Sequence, residues 1–166
     1  MGPATRKPKT IPKSSDFTQL VSFALGKEEF GVDILMVQEI IRIAPITAVP
    51  HAPDFIEGVI NLRGHIIPII DLRKRLNLSP LPVEDRSNAR ILIIHIQDRV
   101  TGFIVDVVSE VLRIPKSLIE PPPEIVVAGL KSLYICGVCK LEDRLLLLLD
   151  FSKILQVEEI KQLMEV

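Results

Sequence analysis

Two stretches of this chain are copies of each other, and that repeat limits the folds open to it more than any short motif does. Ile56–Leu76 lies without a gap on Ile135–Leu155, with Ile56/Ile135, Gly58/Gly137, Val59/Val138, Leu62/Leu141, Asp71/Asp150, Lys74/Lys153 and Leu76/Leu155 identical. Gly31–Ile43 lies in the same way on Gly102–Ile114, sharing Gly31/Gly102, Val37/Val108, Glu39/Glu110, Arg42/Arg113 and Ile43/Ile114. Two copies are too few for a solenoid. They are expected to give two small β units in tandem, barrels or twisted sheets packed through aliphatic faces, with the groove between them as the natural docking place.

Local patterning supports a mostly β reading. Phe17–Leu25 and Glu29–Val32 flank the turn Gly26-Lys27-Glu28, and Gly58–Leu62 and His65–Ile70 flank Arg63-Gly64. In the second pair Gly supplies the positive φ of a tight hairpin and Arg63 stands at its tip. Arg90–Ile96 and Val100–Val105 form a further hairpin, Val111–Ile114 a further strand, and Leu133–Leu141 with Arg144–Leu149 the last hairpin. Asp33 occupies an N-cap position before Ile34, Val37 and Ile41 at helical spacing, so Asp33–Ile40 reads as a short helix. Asp71 caps a second short helix over Leu72–Leu76. Ile43–Val49 is extended and interrupted by Pro45 before Pro50, which favours an edge. Val157, Ile160, Leu163 and Met164 share one face of a C-terminal helix. Residues 1–16, with Arg6, Lys7, Lys9 and Lys13 among prolines, read as a disordered basic tail whose removal leaves the fold intact.

Chemistry is sparse. The net charge of −1 gives no field for nucleic acid or an anionic membrane, and the absence of Trp removes material for base stacking. No apolar run approaches the roughly 18 residues of a membrane span, and the N-terminus lacks the apolar stretch of a signal peptide, so a cytoplasmic protein is expected. Neither GxGxxG nor GxxxxGK[ST] occurs. His51, His65 and His95 are scattered, the latter two in strands where a structural role is the common one, and no metal or cofactor is expected. Cys136 and Cys139 form a CxxC. Their opposite parity in a strand turns them to opposite faces, and the pair lacks the helix N-terminus that activates a redox thiolate. A CxxC-dependent redox or zinc-binding β protein remains the alternative reading.

The ordered runs Leu25-Gly-Lys-Glu-Glu-Phe-Gly-Val-Asp-Ile34, Val37-Gln-Glu-Ile40 and Phe55-Ile-Glu-Gly-Val-Ile-Asn-Leu-Arg-Gly-His-Ile-Ile-Pro-Ile-Ile-Asp-Leu-Arg73 resemble the CheW family of chemotaxis coupling proteins. Gly102-Phe-Ile-Val-Asp106, Val108-Ser-Glu-Val-Leu112 and Arg144–Asp150 extend the likeness, which covers Phe17 to about Met164. The resemblance implies two SH3-like five-stranded β-barrel subdomains with short helices within one CheW-like domain over residues 17–166. It also implies an adaptor, not an enzyme, that couples the cytoplasmic tip of chemoreceptors to the regulatory domain of a CheA-type histidine kinase, with copies of itself as a further partner in array rings. Without an ATP-binding kinase motif or the receiver domain of CheV-type proteins, a stand-alone coupler is expected. Carried onto this chain, the receptor-facing residues are Val37, Gln38, Glu39, Ile41, Arg63, Val105 and Val108, with the first four on the short helix. The kinase-facing residues are Ile46, Val49, Phe55 and Gly58. Nucleic acid and membrane insertion have no part in this expectation.

Overall fold

Strands whose two faces are both buried explain the nearly continuous aliphatic runs. In the computed structural model, which describes residues 16–122 and 134–154, the run Leu145–Leu149 sends Leu146 and Leu148 to one apolar cluster and Leu147 and Leu149 to another. Arg90–Ile96 does the same, with Ile91 and Ile93 on one side and Leu92, Ile94 and Ile96 on the other. A strand in that position has no solvent face and so needs no polar alternation.

The strands are β1 (Phe17–Leu25), β2 (Glu28–Asp33), β3 (Val37–Arg42), β4 (Ile56–Leu62), β5 (His65–Asp71), β6 (Arg90–Ile96), β7 (Arg99–Val105), β8 (Val107–Pro115), β9 (Ile119–Glu120), β10 (Ile135–Lys140) and β11 (Leu145–Leu149). Two one-turn helices, α1 (Leu72–Arg75) and α2 (Phe151–Ile154), follow β5 and β11. One sheet runs β8-β1-β2-β11-β10-β9 and the other β3-β6-β7-β5-β4. The sheets therefore do not coincide with the sequence copies. The first takes β1 and β2 from the first half and β8 to β11 from the second, while the other sheet takes the complement. This exchange creates the two parallel pairs, β2 with β11 and β5 with β7, in otherwise antiparallel sheets.

Each sheet curls on itself. After β8 a 3-10 turn at Lys116–Leu118 brings the chain back as β9 onto β10, and after β3 the chain returns to β4 through the isolated Thr47–Val59 bridge. The barrel interiors hold Leu20, Ile114, Cys139, Leu146 and Leu148 in the first case, and Ile60, Ile67, Ile69, Ile91 and Ile93 in the second. Between the sheets lies the largest cluster, with Phe23, Phe30, Phe103 and Phe151 fully buried. Phe103 meets Phe151 edge to face at 4.7 Å between ring centroids. The copies also share their irregularities: β3 bulges at Gln38 and β8 at Ser109, β4 at Glu57 and β10 at Cys136.

Several expectations change here. The helix expected over Asp33–Ile40 is a 3-10 turn at Ile34–Met36 followed directly by β3, although Asp33 does cap it, accepting from the Leu35 amide at 2.9 Å. Ile43–Val49 makes only the single bridge at Thr47. Val111–Ile114 extends to the whole of β8. His65 and His95 are exposed on their strands, not structural core. Asp71 caps α1, accepting from the Arg73 amide at 2.9 Å. The N-terminal tail and the C-terminal helix with Val157, Ile160, Leu163 and Met164 lie outside the described residues, apart from Asp16.

Candidate functional site

The turn between β4 and β5 has φ of 52° at Arg63 and 89° at Gly64, and the Gly64 amide donates to Asn61 Oδ1 at 2.8 Å. This pins the Arg63 side chain at the lip of the second barrel. Curling of the sheet brings β3 to the same lip, and the Arg63 guanidinium donates to the Glu39 carboxylate across the seam. The arginine expected at the hairpin tip stands there and is also one arm of an ion pair. With the side chains 65% and 27% exposed, that pair is screened and contributes little to folding. Beside it a cleft of about 400 Å³ is lined by Gln38, Leu62, Arg63, His65, Ile66, Ile67 and Val100. Ile66 is 65% exposed and was not singled out from sequence. Period 2 would have found it, since Ile67 and Ile69 face the barrel interior and their neighbour must face out.

The structure thus gathers Gln38, Glu39 and Arg63 on one surface. Ile41 turns inward onto the second barrel's interior. Val37 and Val108, the same position in the two copies, are both half-buried against the central cluster. Val105 is fully enclosed in that cluster, so it supports this region from beneath and offers no surface of its own. Nearby the exposed apolar residues are Leu35, Met36, Ile40 and Val107.

The second group falls on the segment between β3 and β4. Thr47 exchanges both backbone hydrogen bonds with Val59, each 2.9 Å, and holds the segment on the barrel. Gly58, also buried, gives room for that approach, and Ile46 packs half-buried on the barrel interior. Val49 accepts from the Ala52 amide at 3.3 Å and is half-buried. Phe55 lies against the Arg75 guanidinium, 4.6 Å from the ring centroid, and Tyr134, its counterpart in the other copy, receives the same cation at 4.7 Å. Phe55, Val49 and Ile46 present partial surfaces, whereas Gly58 acts as a spacer.

The CxxC pair is split by its strand. Cys136 is exposed at the β10 bulge, and Cys139 is fully buried with Leu20, Ile114, Leu146 and Leu148. Burial pushes the Cys139 thiol upward, and at the surface-reaching Cys136 partial desolvation of its side chain and then the Asp150 charge do the same, so neither is an activated thiolate. Native protein should therefore show one thiol titratable by a disulfide reagent. Its rate at neutral pH should fall below that of free cysteine and climb with alkali; two fast thiols would overturn this assignment. Among the described residues no cluster of three or more His, Cys, Asp or Glu side chains is placed to hold a metal, and no helix is long and apolar enough to cross a membrane.

Residues 19–159 match the family described as the CheW-like domain. The chain is 41% identical over 141 residues to the chemotaxis protein CheW of Klebsiella aerogenes, covering 85% of this chain and 83% of that one. It is 35% identical over 147 residues to the CheW of Treponema pallidum, covering 87% and 86%. Its fold superimposes on the crystal structure of the scaffolding protein TtCheW from Thermoanaerobacter tengcongensis with a TM-score of 0.78 and 37% identity, over 86% of this chain and 94% of that one. On sequence and on fold alike, the chain belongs to the CheW-like family.

Proposed function

We propose that this protein is a non-catalytic adaptor that couples chemoreceptors to a CheA-type histidine kinase, working on the cytoplasmic side of the membrane within receptor arrays. The observation that carries the reading is the family match, whose residues 19–159 include both candidate surfaces. An adaptor of this kind needs two recognition surfaces held at a fixed distance by one rigid body, and the shared central cluster supplies that rigidity. The receptor's helical hairpin docks along the surface of Val37, Gln38, Glu39, Arg63 and Val108, a helix-in-groove mode with aliphatic anchors. Ile41 and Val105 act beneath that surface as packing. The kinase's regulatory domain meets the segment of Ile46, Val49 and Phe55, with Gly58 behind it, and copies of this chain compete for the same places in array rings. Only a few such anchors carry most of the energy of a transient contact.

Co-sedimentation tests the proposal. Receptor cytoplasmic fragments and a CheA-type kinase are pelleted with and without this protein, and kinase recovery in the receptor pellet should depend on its presence. Kinase recovery that is the same in its absence would overturn the coupling role.

A further inference from the structure

The chain crosses between the sheets at two equivalent places, Ile34–Met36 between β2 and β3 and Asp106 between β7 and β8. The repeat sets Leu35 on Asp106. Leu35 is 89% exposed, and its crossing is held by the Asp33 cap, by the Val37 amide donating to the Ile34 carbonyl and by Ile34 packing on the central cluster, with no ion pair among the described residues. Asp106 is held from three sides. Arg73 of α1 grips it with both arms of the guanidinium, Nε to Oδ1 at 2.8 Å and Nη2 to Oδ2 at 2.6 Å. The Gly26 amide, from the β1–β2 turn of the first sheet, donates to Oδ2 at 2.7 Å. The Asp106 amide itself donates to the Ala24 carbonyl at 3.1 Å. Arg73 also donates to the Ser79 carbonyl, which anchors it to the loop after α1. The paired side chains are 12% and 13% exposed, so solvent screens them little.

A helix of one sheet, a turn of the other and the crossing strand thus meet on a single carboxylate. Directly after it come Val107 and Val108, and Val108 is the counterpart of Val37. We propose that Arg73 and Asp106 are positioning residues that lock the second crossing, fixing where β8 starts with the exposed Val107 and with Val108 on the central cluster that Val37 also packs against, and leaving the Leu35 crossing as the apolar end without an ion-pair lock. The lock gives a surface built by pseudo-twofold repetition a single polarity, so that a docked helical hairpin has one orientation. This inference rests on the reading of Val37 and Val108 as receptor-facing.

The test uses the full chain with Asp106→Asn, which removes the charge while keeping the shape, and Arg73→Lys, which keeps the charge while losing the fork. Affinities are measured for a receptor cytoplasmic-tip fragment and separately for the kinase's regulatory domain, together with amide exchange across β8 and β10. Each variant should weaken receptor binding by about tenfold or more, speed exchange at Val107 and Val108 without affecting β10, and leave kinase affinity within about twofold. Equal loss of both affinities with faster exchange in β10 would make the pair a general structural brace and overturn the proposal, as would receptor binding that does not change in either variant. If the unaltered protein binds neither fragment, the adaptor reading falls and this inference with it, whereas binding by the unaltered protein and by both variants alike removes the inference alone.

Discussion

Gly58→Ala is expected to lower folding stability by about 3 kcal/mol, the sum of a backbone term and a collision term. The φ of +145° at Gly58 belongs to a region that L side chains rarely adopt. An added Cβ would stand 2.7 Å from the Thr47 carbonyl carbon, nearer still to its oxygen, and 2.9 Å from Ile46 Cγ2. The carbonyl has no freedom to retreat, because it accepts from the Val59 amide in the bridge that closes the second barrel. Gly64→Ala separates the two terms. Gly64 also has a positive φ, of +89°, yet nothing lies within 4 Å of its missing Cβ. That variant should lose only about 1 kcal/mol. Denaturant titration of both proteins decides the matter: equal losses would mean that the Thr47 contact is not what Gly58 protects. Because Ile46 and Val49 hang from the same bridge, Gly58→Ala should also weaken association with the kinase domain, even at temperatures where the protein stays folded.

Shared glycines, turns and caps were legible in the sequence because they are decided locally. The Arg63-Gly64 turn, the Asp71 cap and the hairpin limits all depend on residues within a few positions of one another. Strand exchange was not legible. The repeat says which segments are alike, but a copy of β4 and β5 can complete either barrel, and that choice is made by pairings such as β2 with β11, more than a hundred residues apart. The helix expected at Asp33–Ile40 failed for a different reason. Ile34, Val37 and Ile41 fit a 3.6-residue period, whereas in β3 the bulge at Gln38 leaves Val37 on the central cluster and Glu39 and Ile41 on the second barrel's side, and that switch, with the charge of Glu39, hides the strand's alternation. The structure shows why a carboxylate is tolerated there: it sits at the seam, beside Arg63. The β-branched residues Val37, Ile40, Ile41 and Ile43 were the available counter-signal.

Arg63→Ala should leave folding almost untouched, within about 0.5 kcal/mol as for other screened surface pairs, while weakening partner binding by about 2 kcal/mol or more if the guanidinium is desolvated on contact. The ion pair with Glu39 adds a control that the turn alone does not suggest. If Arg63 works only by holding the barrel seam closed, the exchange Arg63→Glu with Glu39→Arg restores the pair and with it binding. If Arg63 meets the partner directly, the exchanged protein folds normally and still fails to bind, because the positive charge now starts from β3 instead of the hairpin tip. Affinity for receptor and kinase fragments, measured beside the unfolding midpoint, separates these cases. Unfolding by Arg63→Ala alone would show that the seam pair is structural. Unchanged folding with unchanged affinity for both partners would remove Arg63 from either contact and leave the exposed Ile66 beside it as the anchor of that lip.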